Sequence, residues 1–340
     1  MDSNITARKR ISTLIGEPIN PNLNTPVEIS ELAYVAVAEP GDKVYRYDSY
    51  DTDVDQILDI NTSTADVTAV KRSPLSETEL VFKGLDSQRE YVHLHDVMNS
   101  PDQGVFGRKK RRISSSMDKL ELRIILEAIV NGTTPTMAPG NTAAMEDAVQ
   151  AVTPESGNDL YDIIMKAKHL VEDYGDDLLL LNGTTVNNKL DVFDKEKAAS
   201  LNYNVTIRTM LEKAGIKPLK IFGKVMWTGG DHGAADDTVA TKLMDANSFI
   251  LESRNSRIQD EKGQISKPII FVRKKITPEL ADFLGATVDK AQRALMVSEA
   301  PVQVGSTAKM AFSVIGVEEI IWAIVNPLGL VKSGDISDYL

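Results

Sequence analysis

A chain of 340 residues, with 42% hydrophobic and 26% charged side chains, has room for two compact domains or for one domain with extended arms. Its net charge of -11 argues against general coating of nucleic acid, and aromatic residues at only 6% leave a core that is mostly aliphatic. There are no cysteines, which excludes disulfides, thiolate metal sites and cysteine nucleophiles.

The N-terminal stretch MDSNITARKRISTLIGEP has no apolar core of signal-peptide length. No apolar run approaches the ~18 residues of a membrane span, and Glu318 and Glu319 interrupt the best candidate. The chain therefore reads as cytosolic in origin.

Residues 1–40 read as an arm. Pro18, Pro21, Pro26 and Pro40, with Asn20, Asn22 and Asn24 between them, leave little room for regular structure, apart from a short helix around Asn4 to Leu14. From Lys43 to about Val97 the pattern is strand-like, through KVYRYDSY, ADVTAVKR, ELVFKG and REYVHLHDV. This is a long, polar, hairpin-like excursion with few residues for a core of its own. An isolated hairpin is marginal in water, so the excursion needs a surface, and another copy of the same protein supplies one. A small, locally packed sheet is the competing account.

Residues 104–132 have the marks of one long helix. Ile113, Met117, Leu120, Ile124 and Ala128 recur every three or four residues, and Leu122, Ile125, Leu126 and Ile129 widen the stripe. Asn131-Gly132 is a strong stop. Charge changes sign here. Residues 41–103 carry six Lys/Arg against thirteen Asp/Glu, a net of -7, whereas residues 104–132 carry seven against three, a net of +4. The basic run Arg108, Lys109, Lys110, Arg111 and Arg112 suits an acidic partner within or between subunits, or nucleic acid; a merely solvated helix face is the alternative.

Residues 133–157 form a loose connector, with a helix expected near Ala143 to Val152. Asn158 or Asp159 then caps an amphipathic helix with Leu160, Ile163, Ile164, Ala167, Leu170 and Val171 inward and His169 beside that face. A buried strand at Leu178 to Leu181 follows, and Asn182-Gly183 turns the chain. Helices are expected at Lys195–Ala199 and Thr206–Ala214, a strand at Leu219–Trp227, and an exposed loop at Trp227–Asp237. SFILES and KPIIFVRKKI read as strands, ITPELADFLG as a short capped helix, and KMAFSVIGVEEIIWAIVNPLGLV as long strands ending at Pro327. Without regular βαβ alternation the fold class is α+β.

Signals for chemistry are weak. On a strand His93 and His95 would point to one face, a spacing that zinc sites use, but no third ligand stands nearby. His232 in Gly229-Gly230-Asp231-His232-Gly233 lacks any accompanying nucleophile motif. Phosphate loops, nucleophile elbows and a full calcium loop are all absent: after Asp51, Asp53 and Asp55, Gln56 and Thr62 stand where Gly and Glu are needed. Ser116-x-x-Lys119 falls mid-helix without partner motifs. No cofactor or catalytic residue is assigned.

GRKKRRISSSMDKLELRIILEAIVNG resembles the spine helix of the major capsid proteins of tailed bacteriophages, which have the Hong Kong 97-like fold. DLYDIIMKAKHLVEDYGDDLLLLNGTTVNNKL resembles the helix and strand that follow that spine, and FSVIGVEEIIWAIVNPLGLV the closing strand of the family's peripheral domain. The resemblance implies an N-terminal arm (1–40), an extended β-hairpin loop (41–103), and a spine helix with peripheral domain (104–157). It implies a mainly axial domain (158–312) and returning peripheral strands (313–340). It further implies a self-assembling structural protein in the virion capsid, built in the host cytoplasm from hexamers and pentamers. Double-stranded DNA would lie on the inner face, and a separate scaffold, portal and decoration proteins would be partners. Gly229 to Gly233 would approach the capsomer centre. An encapsulin-type shell carrying enzyme cargo is the second reading, and a metal-dependent enzyme using His93 and His95 the third.

Overall fold

The computed structural model describes residues 26–49, 76–87, 89–98, 104–131, 149–192, 206–227, 239–256, 267–304 and 307–340. The chain begins there with helix α1 (Ile29–Leu32) and strands β1 (Tyr34–Ala38), β2 (Val44–Ser49), β3 (Ser76–Val81), β4 (Lys83–Asp86) and β5 (Glu90–His93). Helices α2 (Leu94–Met98) and α3 (Gly104–Asn131) follow, then β6 (Gln150–Val152), α4 (Leu160–Val171), β7 (Gly175–Asn182), α5 (Thr184–Leu190) and α6 (Ile207–Lys213). Next come β8 (Ile216–Lys220), β9 (Lys224–Trp227), β10 (Val239–Lys242), β11 (Phe249–Ser256) and β12 (Ile269–Lys274). The chain ends with α7 (Pro278–Phe283), β13 (Ala286–Val288), β14 (Ala294–Val304), β15 (Thr307–Ile324) and β16 (Leu330–Ser333). Helices and strands are mixed without regular alternation, so the protein is α+β.

Two large sheets organise these elements. The first has the order β6-β16-β11-β7-β8. Its strand β7 explains the run Leu178-Leu179-Leu180-Leu181: side chains alternate across a strand, and both faces are covered. Leu178 and Leu180 pack under α4 with Ile163, Ala167 and Phe249, while Leu179 and Leu181 face the opposite core with Ile129 and Ile250. The start of α4 is fixed by a capping box, in which Asp159 accepts from the Asp162 amide and Asp162 reaches back to the Asp159 amide.

The second sheet has the order β1-β12-β15-β14-β13, with β4 and β5 also paired to β15. Strand β15, 18 residues long, is its axis. Phe312 pairs with Glu299 of β14 on one flank and with Val92 of β5 on the other. Further along, Ile320 pairs with Arg273 of β12 and with Lys83 of β4.

Helix α3, 28 residues, is about 42 Å long at 1.5 Å per residue. Its second half is wedged between the two sheets. Leu122, Ile125, Leu126 and Ile129 share one core with Leu179, Leu181 and Ile250 of the first sheet and Phe271, Ile320 and Ile324 of the second. Its first half lies on the second sheet alone, where Ile113 and Met117 meet Val92, Leu295 and Val314. Gly316 leaves no room for a side chain there: an added Cβ would stand 2.8 Å from both Ile113 and Met117.

Several expectations need correction. His93 ends β5, but the chain turns into helix α2 at Leu94, so the alternation that would align His93 with His95 stops between them. Gln150–Val152, expected to be helical, forms strand β6, because β16 offers it a parallel edge. The strand expected at Leu219–Trp227 is two strands, β8 and β9, divided at Gly223 with φ at +105°. Residues 184–190 form helix α5, for which no sequence signal was read. Residues 29–38, assigned to the arm, form α1 and β1, and β1 pairs in parallel with β12. In sequence the chain passes from the second sheet (β1, β4, β5) to the first, returns to the second between Ser256 and Ile269, and ends with β16 in the first. The short helix around Asn4 to Leu14, the strand ADVTAVKR, Asp51 to Asp55 and the helix at Lys195–Ala199 lie outside the described residues.

Candidate functional site

Between the spine helix and the second sheet lies a cluster of charge. Arg293, just before β14, has a side chain only 1% exposed. Its Nε donates to Glu318 Oε2 on β15 at 2.6 Å, and its Nη1 to Asp118 Oδ1 on α3 at 2.6 Å and to the Ser114 carbonyl at 3.0 Å. Its Nη2 stands 2.8 Å from Glu121 Oε2, as an ion contact rather than an aligned hydrogen bond. Arg273 of β12 grips the same carboxylate with two donors, Nε at 3.1 Å from Oε1 and Nη2 at 2.7 Å from Oε2. Asp289 closes the ring, accepting from Ser114 Oγ at 2.6 Å and from the Arg293 amide at 3.0 Å.

Two guanidiniums thus face four carboxyl groups, two of them, Glu121 and Glu318, in the buried interior. A buried excess of negative charge is relieved most cheaply by keeping a proton. Burial, reinforced by the Glu121 carboxylate, pushes Glu318 up to about 8 against the pull of Arg293. Burial also raises Asp118 against the same pull. For Arg293 burial works downward, but Glu121, Glu318 and Asp118 outweigh it and hold the guanidinium above its usual range. Solvent reaches the cluster from one side, through an open cleft of about 470 Å³ lined by Glu28, Ser114, Asp118, Arg273, Asp289 and Lys290. The brace joins the spine helix to β12, β15 and the loop before β14.

Apart from this cluster, Glu252 on β11 is fully buried, and neither oxygen has a hydrogen-bond partner among the described residues. Burial raises it well above the carboxylate range, and Lys267 and Arg254 offset this only in part.

The basic run divides by helical spacing. Lys109 Nζ and Arg112 Nε reach Glu90 on β5 at 2.6 and 3.1 Å, so part of the basic helix pairs with the acidic segment inside the subunit. Lys110 turns the other way and donates to Thr287 Oγ1 on β13 at 2.7 Å. Arg108 and Arg111 lie on exposed helix positions. The five residues thus divide between the β5 edge, the β13 edge and exposed helix positions. Gly229, Gly230, Asp231, His232 and Gly233 lie outside the described residues, but the strands leading to and from them, β9 and β10, pair as an antiparallel ribbon from Trp227–Val239 to Lys224–Lys242.

The remaining histidines give no metal cluster. His93 is exposed, and no group of three potential ligands occurs among the described residues. His169, expected beside the apolar face of α4, is exposed instead, its Nδ1 2.9 Å from Glu172 Oε1. Ser116 faces solvent while Lys119 is buried, so the pair shares no site. Sequence reasoning missed the Arg293 cluster, whose members lie up to about 200 residues apart. One signal was present. Val314, Gly316, Glu318 and Ile320 occupy successive inward positions of β15, so strict alternation places a glutamate in the core.

No protein-family model matches the chain, and no curated protein matches it. Among solved structures it is similar to a virus-like particle from Pyrococcus furiosus, at 11% identity and a TM-score of 0.49, covering 92% of this chain and 95% of that one. It is similar to Mycobacterium phage Adephagia, at 12% identity and a TM-score of 0.47, covering 96% of each chain. The SrpI encapsulin complex of Synechococcus elongatus matches at 12% identity and a TM-score of 0.45, covering 95% and 92%.

Proposed function

We propose that the chain is a structural subunit that assembles with copies of itself into a closed icosahedral shell, as hexamers and pentamers around double-stranded DNA. The observation that carries this reading is the ribbon β2–β3. Val44–Ser49 pairs with Ser76–Val81 as a two-stranded sheet of its own, joined to neither large sheet. A ribbon of this kind is marginal in water, and a neighbouring copy gives it a surface at no cost in new sequence. In this reading the span from Val44 to Val81 reaches over a neighbour, while β4 and β5 stay in the subunit's own sheet, and the β9–β10 ribbon carries Gly229–Gly233 toward a capsomer centre. Arg108 and Arg111 face an acidic neighbour or the packaged DNA. The braced spine helix keeps each subunit rigid under load. Electron microscopy of the purified full chain tests the proposal: closed shells or ring-shaped capsomers are expected, and a monodisperse monomer at every concentration overturns it. Nucleic acid recovered from shells made in cells separates a DNA-packaging capsid from an encapsulin-type shell, which would hold protein cargo.

A further inference from the structure

Two apolar patches lie on opposite edges of the second sheet. On one edge, beyond β13, helix α7 ends in a protruding tip. Phe283 is 86% exposed, and Leu280 and Leu284, three residues before it and one after, are exposed with it. Helix α7 is held from behind, by the Thr277 cap at its start and by packing against β13, so the tip is presented rather than loose. On the other edge, β5 and α2 expose Tyr91, Leu94 and Met98, the last at 74%. The pairings Thr287–Leu295, Glu299–Phe312 and Phe312–Val92 show β13, β14, β15 and β5 following one another across the sheet, which puts the two patches on opposite sides of one subunit.

Their charges differ in sign. Glu279 and Asp282 flank the α7 tip and are exposed. Around the β5–α2 patch stand exposed Arg89, just before β5, and exposed Arg108 and Arg112 on the spine helix, where Arg112 contacts Glu90 of β5. A convex apolar tip with acidic flanks thus faces away from an apolar patch with basic flanks. A single subunit cannot bring the two together. Copies set side by side can.

Resting on the shell-subunit reading, we infer that the α7 tip of one copy docks on the β5–α2 patch of the next, joining copies head to tail through opposite edges of this sheet. The contact is heterologous, so it closes into a ring or runs on, instead of stopping at a dimer. Apolar burial supplies the attraction, and the charged flanks choose opposite edges over like ones.

The absence of cysteine in the 340 residues makes a clean test. Full-length Met98→Cys, Phe283→Cys and the double variant are assembled and treated with a short thiol-to-thiol linker. Both positions are exposed, so unchanged thermal melting is expected for each. The double variant should give a ladder of linked chains on a denaturing gel, and each single variant only monomers. Dimers from Phe283→Cys alone would mean like edges meet and would overturn the inference. So would an unlinked double variant in preparations that assemble normally. A second measurement uses charge. Reversing Glu279 and Asp282 to Arg should abolish assembly, and adding Arg89→Glu with Arg108→Glu in the same chain should restore it. Failure of the unmodified protein to assemble at all would instead refute the shell-subunit reading.

Discussion

Glu318→Gln isolates the proton held beneath the spine helix. The amide can keep both contacts: its oxygen accepts from Arg293 Nε, as Glu318 Oε2 does at 2.6 Å, and its N–H can donate toward Glu121 as a protonated carboxyl would. In the unfolded chain Glu318 ionises near its ordinary 4.5, whereas in the folded protein it is pushed up to about 8. Between those values the folded form keeps a proton that the unfolded chain has shed, so stability falls as pH rises. The contribution is complete below pH 4.5 and lost once pH passes about 8. At about 1.4 kcal/mol per pH unit, the loss amounts to up to about 5 kcal/mol. Glutamine does not titrate, and the variant should lack this slope. Urea unfolding from about pH 5 to about pH 9 reads the difference directly. The two proteins should be close at the acid end, with the variant gaining steadily toward alkali. Asp118, raised in the same direction, acts in both proteins and drops out of the comparison. Parallel pH profiles, or a gap that opens toward acid, would refute the account of a retained proton.

Other expectations follow from single contacts. Arg293→Met strands Glu121, Glu318 and Asp118 without their shared cation and should cost about 3–5 kcal/mol in urea unfolding at neutral pH. Gly316→Ala forces a methyl group within 2.8 Å of Ile113 and Met117, so it should lower stability by about 1–3 kcal/mol, read as a reduced melting temperature. Glu252→Met removes a buried carboxyl with no hydrogen-bond partner among the described residues and should stabilise by about 1–3 kcal/mol in the same assay. Deleting residues 48–80 should leave a subunit with the native melting transition that forms no shells in the microscope; loss of the transition would place that segment in a local core.

Local signals account for what was legible in the sequence. The spine helix was expected over 104–132 and spans Gly104–Asn131, because an aliphatic stripe and an Asn-Gly stop are properties of neighbouring residues. Helices α4 and α7 were readable for the same reason, each opening on a side chain that accepts its own N3 amide. Where competing partners decide, reading failed. The alternation in REYVHLHDV suggests a strand throughout, yet only its first part finds hydrogen bonds along β15, and the rest closes into a helical turn. The charged brace is less legible still. Ser114 and Arg293, or Glu121 and Arg273, are neighbours only after the helix has been laid across the sheet.

The position of β16 bears on when the first sheet can close. Leu330–Ser333 lies between β6 and β11 in the first sheet, yet it is made after every other strand. During synthesis β11 can pair with β7, but its other edge stays open until β16 emerges, and β6 has no strand to join. The second sheet can close earlier, since its last strand, β15, precedes β16. Late closure of a non-local sheet slows folding. It also means that a chain not yet extended through β16 carries an open edge on β11.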